Sequence, residues 1–104
     1  MSGPAVTEAA MSQAAAGRVE RIRAALQAVF APQALEVEDD SHRHAGHAGA
    51  RDGRGHFNVR IVSAAFAGMA PLARHRAVYA ALGAMMQTDI HALSIRAEAP
   101  RDAA

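Results

Sequence analysis

Large apolar side chains are scarce in this sequence, and their number limits the core that the chain can build. Of the 104 residues, 25 are Val, Ile, Leu, Met, Phe or Tyr, whereas 28 are alanine. A chain of this length makes one small domain and buries roughly 60–65% of its unfolded surface. The sequence therefore predicts one modest core and leaves little volume for a large buried active-site cavity.

Charge and cysteine content exclude several classes of function. Eleven basic residues, all arginine, nearly balance ten acidic residues, and the net charge of +1 excludes a histone-like polycation but not a local basic patch. The absence of cysteine excludes disulfides, a cysteine nucleophile, a CxxC redox pair and a cluster held by the chain's own thiolates. The unusual feature is the presence of six histidines: His42, His44, His47, His56, His75 and His91.

The spacing of the apolar residues predicts the order helix, strand, strand, helix, strand. A flexible N-terminal tail is expected over 1–16, one domain over 17–100 and a C-terminal tail over 101–104. The first helix is predicted from Arg18 to just before Pro32. Strands are predicted over 35–39, 56–62 and 90–96, with a helical turn at 63–66 and a long helix from Pro71. The predicted fold class is α+β, a small three-stranded sheet covered by helices.

Two of these elements have a predicted inner face. In the second strand, Phe57, Val59 and Ile61 are expected to face the core. The apolar stripe predicted for the long helix is Leu72, His75, Val78, Tyr79, Leu82, Met85 and Met86.

The segment over 40–55 is predicted to be a long exposed loop, because it is rich in Gly, His and charge and has no periodicity. Its HxH and HxxH spacings are compatible with zinc, although the sequence lacks a four-ligand zinc signature. Elsewhere, the longest uncharged apolar run, 64–73, is about half of a membrane span, and the N-terminus lacks the regions of a signal peptide. We expect a soluble cytoplasmic protein with no membrane partner.

Several stretches, in this order and at these spacings, resemble the BolA family over roughly 18–100. They are Leu35-Glu36-Val37 with Asp39-Asp40-Ser41 and then His44; His56-Phe57 running into Ile61-Val62-Ser63; Phe66-x-Gly68; Arg74-His75-Arg76 with Val78-Tyr79 and Leu82; and Ile90-His91-Ala92-Leu93-Ser94-Ile95. The resemblance implies a fold similar to the class II KH domain, in the order α-β-β-α-α-β, and no enzymatic activity. It also implies pairing with a monothiol glutaredoxin and a shared 2Fe–2S cluster, in iron–sulfur trafficking or iron and redox regulation.

The resemblance assigns metal-ligand roles to two histidines. His91 matches the family's C-terminal cluster ligand, and His44 matches its loop ligand, with His47 and then His42 as alternatives. The partner would supply a cysteine and glutathione, so no cluster is expected on this chain alone. Read from the residues only, His91 is predicted by parity to share a face with Leu93 and Ile95, at the edge of the core. A half-buried structural histidine bonded to a carbonyl is the alternative there.

A second hypothesis concerns nucleic acid, because some bacterial BolA proteins are described as DNA-binding transcription regulators. Arg74, His75 and Arg76 open the long helix after the turn Gly68-Met69-Ala70-Pro71, where two arginines at a helix N-terminus could bind phosphate. The turn is GxxP, however, and lacks the second glycine of the KH phosphate clamp. Aromatic stacking residues are also absent nearby, so the alternatives are a solvated arginine face or a docking surface for an acidic partner.

Catalysis is not expected from this sequence. No Ser or Thr lies in a nucleophile-elbow context, and there is no Gly-rich phosphate loop. An acid–base pair of His44 with Asp39 or Asp40 would lie in a loop without a pocket. We therefore predict a protein that is not an enzyme.

Overall fold

Helices cover one face of a three-stranded sheet in the computed structural model of the chain, which describes residues 8–41 and 55–103. The helices are α1 (Glu8–Phe30), α2 (Pro71–Leu82), α3 (Met85–Thr88) and α4 (Pro100–Ala103), and the strands are β1 (Ala34–Asp39), β2 (Gly55–Val62) and β3 (Ile90–Glu98). A 3-10 turn, Ala64–Phe66, follows β2. The α+β class and the α-β-β-α-α-β order are confirmed.

The direction of the strands brings distant parts of the chain together. The sheet order is β1-β2-β3, in which β1 is antiparallel and β3 parallel to β2. A parallel pair requires a crossover, which α2 and α3 supply. As a result, β1 ends where β2 and β3 begin. We call this the histidine end of the sheet, after His56 and His91, and the opposite end, where β2 and β3 finish, the arginine end, after Arg74 and Arg101.

The core lies between the sheet and the helices. Alternate residues of β2, namely Phe57, Val59 and Ile61, are buried, as predicted. They pack against side chains from the helices, the 3-10 turn and the start of β3: Ile22, Leu26, Phe30, Phe66, Val78, Leu82 and Ile90. Period-two burial in a strand against helices on one side is what an α+β layer requires.

Both ends of the chain have more helix than predicted. The backbone is helical from Glu8, within the expected N-terminal tail, because alanine favours helix and extends α1. At the other end, residues 101–103 form part of α4, where the Asp102 carboxylate accepts a hydrogen bond from the Ala99 N–H at 3.0 Å. Such a bond satisfies a backbone donor at a helix start.

The apolar stripe predicted for the long helix was wrong in part. Leu72 and Tyr79 are 60% and 40% exposed, whereas Val78 and Leu82 are buried. The helix also ends at Gly83, whose φ of +55° suits glycine. The chain restarts as α3 after this residue, and Met85 and Met86 are half-buried and pack against the core, as predicted, although they belong to a separate helix.

Candidate metal-ligand site

His91 lies in an irregularity of the sheet at the histidine end. Ile90 is opposite Gly55, and Ala92 is opposite His56, so β3 contains His91 as an extra residue at that step. Such a bulge leaves the additional residue outside the regular ladder and re-aims side chains. The predicted parity of His91 with the core-facing residues of β3 was therefore wrong, and the His91 side chain is exposed.

The ring of His91 contacts the ring of a second histidine. The centroids of the His56 and His91 rings are 5.2 Å apart, and their planes are tilted by 54°. His56 lies on β2 between the buried Gly55 and Phe57, on the sheet face that the helices leave uncovered. The sequence analysis did not select His56 as a site residue. The missing information was the parallel pairing of β2 with β3, which aligns the starts of the two strands.

The backbone at the histidine end is held from both neighbouring strands. The His56 N–H donates to Ser41 Oγ at 3.0 Å, and the Asp40 N–H donates to the His56 carbonyl at 2.7 Å. The segment 42–54 therefore leaves and rejoins the described structure beside His56. The predicted ligand His44 and its alternatives His42 and His47 lie outside the described residues.

An acidic residue ties the start of β3 to α1. Arg21 Nη2 donates to Asp89 Oδ1 at 2.7 Å, and Arg18 Nε lies 3.5 Å from the same oxygen. Burial works to raise the pKa of Asp89, but the Thr88 hydrogen bond and the two arginines outweigh it and hold that pKa below its ordinary value. This carboxylate precedes Ile90 and His91, so the ion pairs fix the chain where the bulge begins.

The histidine end is suited to completing a metal centre rather than to holding a metal ion unaided. Within 8–41 and 55–103, no group of three or more His, Asp or Glu side chains could hold a metal ion. A shallow groove of about 320 Å³ lies on the uncovered sheet face, lined by Asp40, His56, Phe57, Asn58, Ala92, Leu93 and Ser94. An exposed imidazole beside an open groove is accessible to a partner's metal centre, and neutral imidazole is an iron ligand.

At the arginine end, Arg74 is used to connect elements of the fold. Its side chain is 15% exposed. It donates to the Met69 carbonyl at 2.9 Å, to the Ala97 carbonyl at 3.1 Å and to Asp102 Oδ2 at 2.7 Å. The Arg74 hydrogen bond, followed by that from the Ala99 N–H, holds the pKa of Asp102 below its ordinary value. These bonds occupy the guanidinium that the nucleic-acid hypothesis assigned to phosphate.

Of the other residues of that hypothesis, Gly68 lines an open groove, whereas His75 and Arg76 are not among its lining residues. The volume of the groove is about 520 Å³, and its lining is Ala64, Ala67, Gly68, Arg74, Ala99, Pro100, Arg101 and Asp102. Gly68 has a φ of +77°, and the space around its Cα is open. His75 is half-buried, and Arg76 and Arg101 are exposed. Of the predicted phosphate-binding arginines, only Arg76 is exposed.

The arginines on the uncovered sheet face are also in ion pairs. Arg60 lies 3.4 Å from Glu36 and 3.1 Å from Glu98, and Arg96 lies 3.3 Å from Glu98. Side chains on neighbouring strands are close enough to pair in this way. The arginines next to the groove at the histidine end are therefore engaged by carboxylates of the same face.

Comparison with known proteins identifies the family of the chain. The family model described as BolA-like protein matches residues 26–102. The chain belongs to the BolA family. The resemblance seen in the sequence is thereby confirmed over most of the chain, and the KH-like description of the fold agrees with it.

Relatives and solved structures give the extent of the similarity. The chain is 45% identical over 94 residues to BOLA1 of Arabidopsis thaliana, covering 88% of this chain and 59% of that protein. It is 47% identical over 87 residues to SufE-like protein 1 of the same plant, covering 79% of this chain but 24% of the relative. The solved BolA domain of SufE1 from Arabidopsis thaliana superposes with a TM-score of 0.73 at 45% identity, covering 82% of this chain and 94% of that domain.

A bacterial relative is named for a regulatory role. The chain is 43% identical over 76 residues to the DNA-binding transcriptional regulator BolA of Escherichia coli, covering 73% of this chain and 70% of that protein. The two plant relatives are named as chloroplastic or as chloroplastic and mitochondrial, so the cytoplasmic location of this chain stays a prediction. In the part of the chain that the structure describes, no helix has the length and apolarity to span a membrane.

Proposed function

We propose that this chain is a non-enzymatic BolA protein that pairs with a monothiol glutaredoxin and supplies histidine ligands to a 2Fe–2S cluster shared between the two proteins. Its role would be in iron–sulfur trafficking or in iron and redox regulation. The observation that carries the proposal is the exposed His91 at the sheet end where the histidine-rich segment 42–54 is anchored. The ligands proposed are His91 and His44, with His47 as the alternative to His44.

The donor set is compatible with this role and makes a partner necessary. Histidine ligates iron through a neutral imidazole nitrogen, whereas this chain has no thiolate to contribute. The glutaredoxin would bring its cysteine together with glutathione. A cluster with two histidine ligands on one iron has a higher reduction potential than one held by thiolates alone, and this is the chemistry that such ligation would supply.

The described residue nearest in sequence to His44 supports a second ligand close to His91. Ser41 is hydrogen-bonded to the backbone of His56, whose ring contacts the His91 ring. His44 follows Ser41 by three residues, a length of chain that spans at most about 10 Å when extended. This short separation in sequence is compatible with His44 and His91 ligating one cluster.

Anaerobic reconstitution with a monothiol glutaredoxin tests the proposal. The mixture should give a coloured heterodimer, and its visible absorption and circular dichroism should change in His91→Ala and in His44→Ala. His75→Ala is the matched control, since it removes a histidine near the opposite end of the sheet and should leave the spectrum as in the wild type. Spectra that are unchanged in both ligand variants would contradict the ligand assignment.

A second candidate function is DNA-binding regulation at the arginine end. It is favoured by the name of the Escherichia coli relative, a DNA-binding transcriptional regulator, and by the groove beside Gly68. The hypothesis named Arg74, His75, Arg76 and Gly68. Because Arg74 is hydrogen-bonded within the fold, phosphate contacts would fall to the exposed Arg76 and, as an addition from the structure, to Arg101.

Salt dependence distinguishes this function from the first. Binding through a few phosphates requires log K to fall against log salt with a slope of about −2 to −4. Arg76→Ala combined with Arg101→Ala should bring that slope closer to zero, whereas His91→Ala should not change it. A slope near zero for the wild-type protein, or one unaffected by the arginine variants, would exclude this mode of binding.

A further inference from the structure

We propose that His56 is a positioning residue for His91: its ring restrains the His91 ring in an orientation that can accept a metal centre from a partner. The contact between the two rings is observed in the structure and does not depend on the proposed function. Its use in metal ligation rests on the function proposed above. Three observations support the proposal: the bulge at His91, the hydrogen bonds of the His56 backbone, and the contact between the His56 and His91 rings.

His91 needs such a restraint because the sheet constrains it weakly. It is the extra residue between Ile90 and Ala92, each of which has a partner on β2. At a bulge the ladder is locally disrupted. The His91 side chain is also exposed, so few packed neighbours limit its rotamers. An imidazole that can adopt several rotamers loses conformational entropy when it ligates a metal, and this loss weakens binding.

His56, in contrast, sits on a backbone that is fixed at three points. Its N–H is bonded to Ser41 Oγ, and its carbonyl accepts from the Asp40 N–H. The preceding residue, Gly55, donates its N–H to the Asp89 carbonyl at 2.9 Å. Its side chain is half-buried, and Nε2 is enclosed by protein. The His56 ring therefore stands on a firmly held backbone, next to the exposed ring of His91.

The geometry of the pair favours orientation by His56 over direct ligation. A centroid separation of 5.2 Å lies within the range over which aromatic rings interact, about 4.5–7 Å. Since His56 Nε2 is enclosed and His91 is exposed, His91 is the ring that a partner's metal centre can reach. Residues that orient a metal-binding histidine typically change metal affinity by about 10–100-fold when they are removed.

Three variants separate ring contact from ligation. His56→Ala removes the ring, and His56→Phe keeps a ring of similar size without the nitrogens. Asn58→Ala is the control, because Asn58 is the next outward-facing residue on β2 and its amide donates to Glu38 rather than to His91. Each variant is first compared with the wild type as the isolated protein, by NMR of the His91 ring.

The expected result has two parts. In the isolated protein, His56→Ala should shift the His91 ring resonances and increase the amplitude of ring motion, whereas His56→Phe and Asn58→Ala should leave both close to wild type. In the reconstituted complex, His56→Ala should lose its cluster about 10-fold faster. His56→Phe should keep the wild-type rate and spectrum.

Two outcomes would overturn the inference. An unchanged His91 ring in isolated His56→Ala would show that the contact restrains nothing. If His56→Phe removed the His91-dependent spectrum as fully as His91→Ala does, His56 would be a ligand instead. Failure of every protein, wild type included, to form a cluster would count against the proposed function, while the NMR comparison would still decide whether His56 orients His91.

Discussion

The two ends of the sheet hold their distinctive side chains in opposite ways. At the arginine end the side chain is fixed, because Arg74 is mostly buried and donates three hydrogen bonds to other parts of the fold. At the histidine end the backbone is fixed by bonds among Ser41, Asp40 and His56, while the His91 ring is exposed. A side chain committed to internal bonds stabilises the fold, whereas an exposed ligand on an anchored backbone is available to a partner.

This difference separates stability from binding, two roles that the sequence motifs alone do not distinguish. Arg74-His75-Arg76 and Ile90-His91-Ala92 both place polar residues at the start of a regular element. Substitution of Arg74 should therefore lower stability and leave a cluster unaffected. Substitution of His91 should leave stability almost unchanged and should disrupt the cluster. The predictions below follow from this contrast and are ordered by their expected effect on the free energy of unfolding.

The largest effect is expected for Arg74→Ala. Loss of three hydrogen bonds from a charged, mostly buried donor should lower the free energy of unfolding by about 2–3 kcal/mol, measured by urea denaturation. Arg76→Ala on the same helix removes an exposed arginine and should change it by less than about 0.5 kcal/mol. Equal effects of the two substitutions would contradict the structural role of Arg74.

Gly55→Ala should have the next largest effect, and it acts at the histidine end. A Cβ there would lie 2.7 Å from Phe57 Cε2 and 2.8 Å from Ser41 Oγ. Because Phe57 is buried, the clash should cost about 1–3 kcal/mol and displace the start of β2. Gly17→Ala is the control, since no atom lies within 4 Å of its Cβ position. It should leave stability unchanged or raise it by up to about 1 kcal/mol. If Gly55→Ala did not lower the free energy of unfolding, the close packing described at this end of the sheet would be contradicted.

A smaller effect, dependent on pH, is expected from Asp89. Its folded-state pKa lies below the ordinary value of 3.8. The ionised carboxylate therefore contributes stability that is fully present above pH 3.8 and is lost as the pH falls through the lower, folded-state value. Asp89→Asn should lose up to about 1 kcal/mol at neutral pH and show a flatter decline in acid.

The measurement for Asp89 is urea denaturation at a series of pH values. Asp102, whose pKa is also lowered, should preserve part of the acid dependence in Asp89→Asn. If the free energy of unfolding of Asp89→Asn changed with pH in parallel with that of the wild type, ionisation of Asp89 would not contribute to the pH dependence of stability.

The smallest effect on stability is expected for His91→Ala. The side chain is exposed, so the free energy of unfolding should change by less than about 0.5 kcal/mol. Thermal unfolding monitored by circular dichroism measures this directly. If His91→Ala lowered the free energy of unfolding as much as Arg74→Ala does, the proposed difference between the two ends of the sheet would be contradicted.

Local patterns in the sequence predicted the elements of the fold but not the relations between them. The alternation of Phe57, Val59 and Ile61 gave β2 and its buried face, and the turn after Ser63 was also predicted. The parity of His91 failed because an extra residue in one strand depends on its pairing with another strand. The contact between His56 and His91 depends on the same parallel pairing, which the periodicity of a single strand does not encode.

The arginine motif illustrates the same limit at the level of side chains. Its residue types were compatible with phosphate binding. They did not indicate that Arg74 donates a hydrogen bond to the Ala97 carbonyl near the end of β3. The α4 turn that supplies Asp102 was expected to be a tail. Long-range contacts between elements far apart in sequence therefore decided which arginine is structural and which is exposed.

The origin of the metal ligands is tested most directly by labelling. The chain is produced with ¹⁵N-histidine, reconstituted with an unlabelled monothiol glutaredoxin, and the reduced cluster is examined by pulsed electron paramagnetic resonance. We expect ¹⁵N couplings of the strength of two directly bound imidazoles, and the loss of one of them in His91→Ala. A cluster that forms in the complex but shows only coupling from the unlabelled partner, or ¹⁵N couplings that all persist unchanged in His91→Ala, would contradict the assignment of His91 as a ligand.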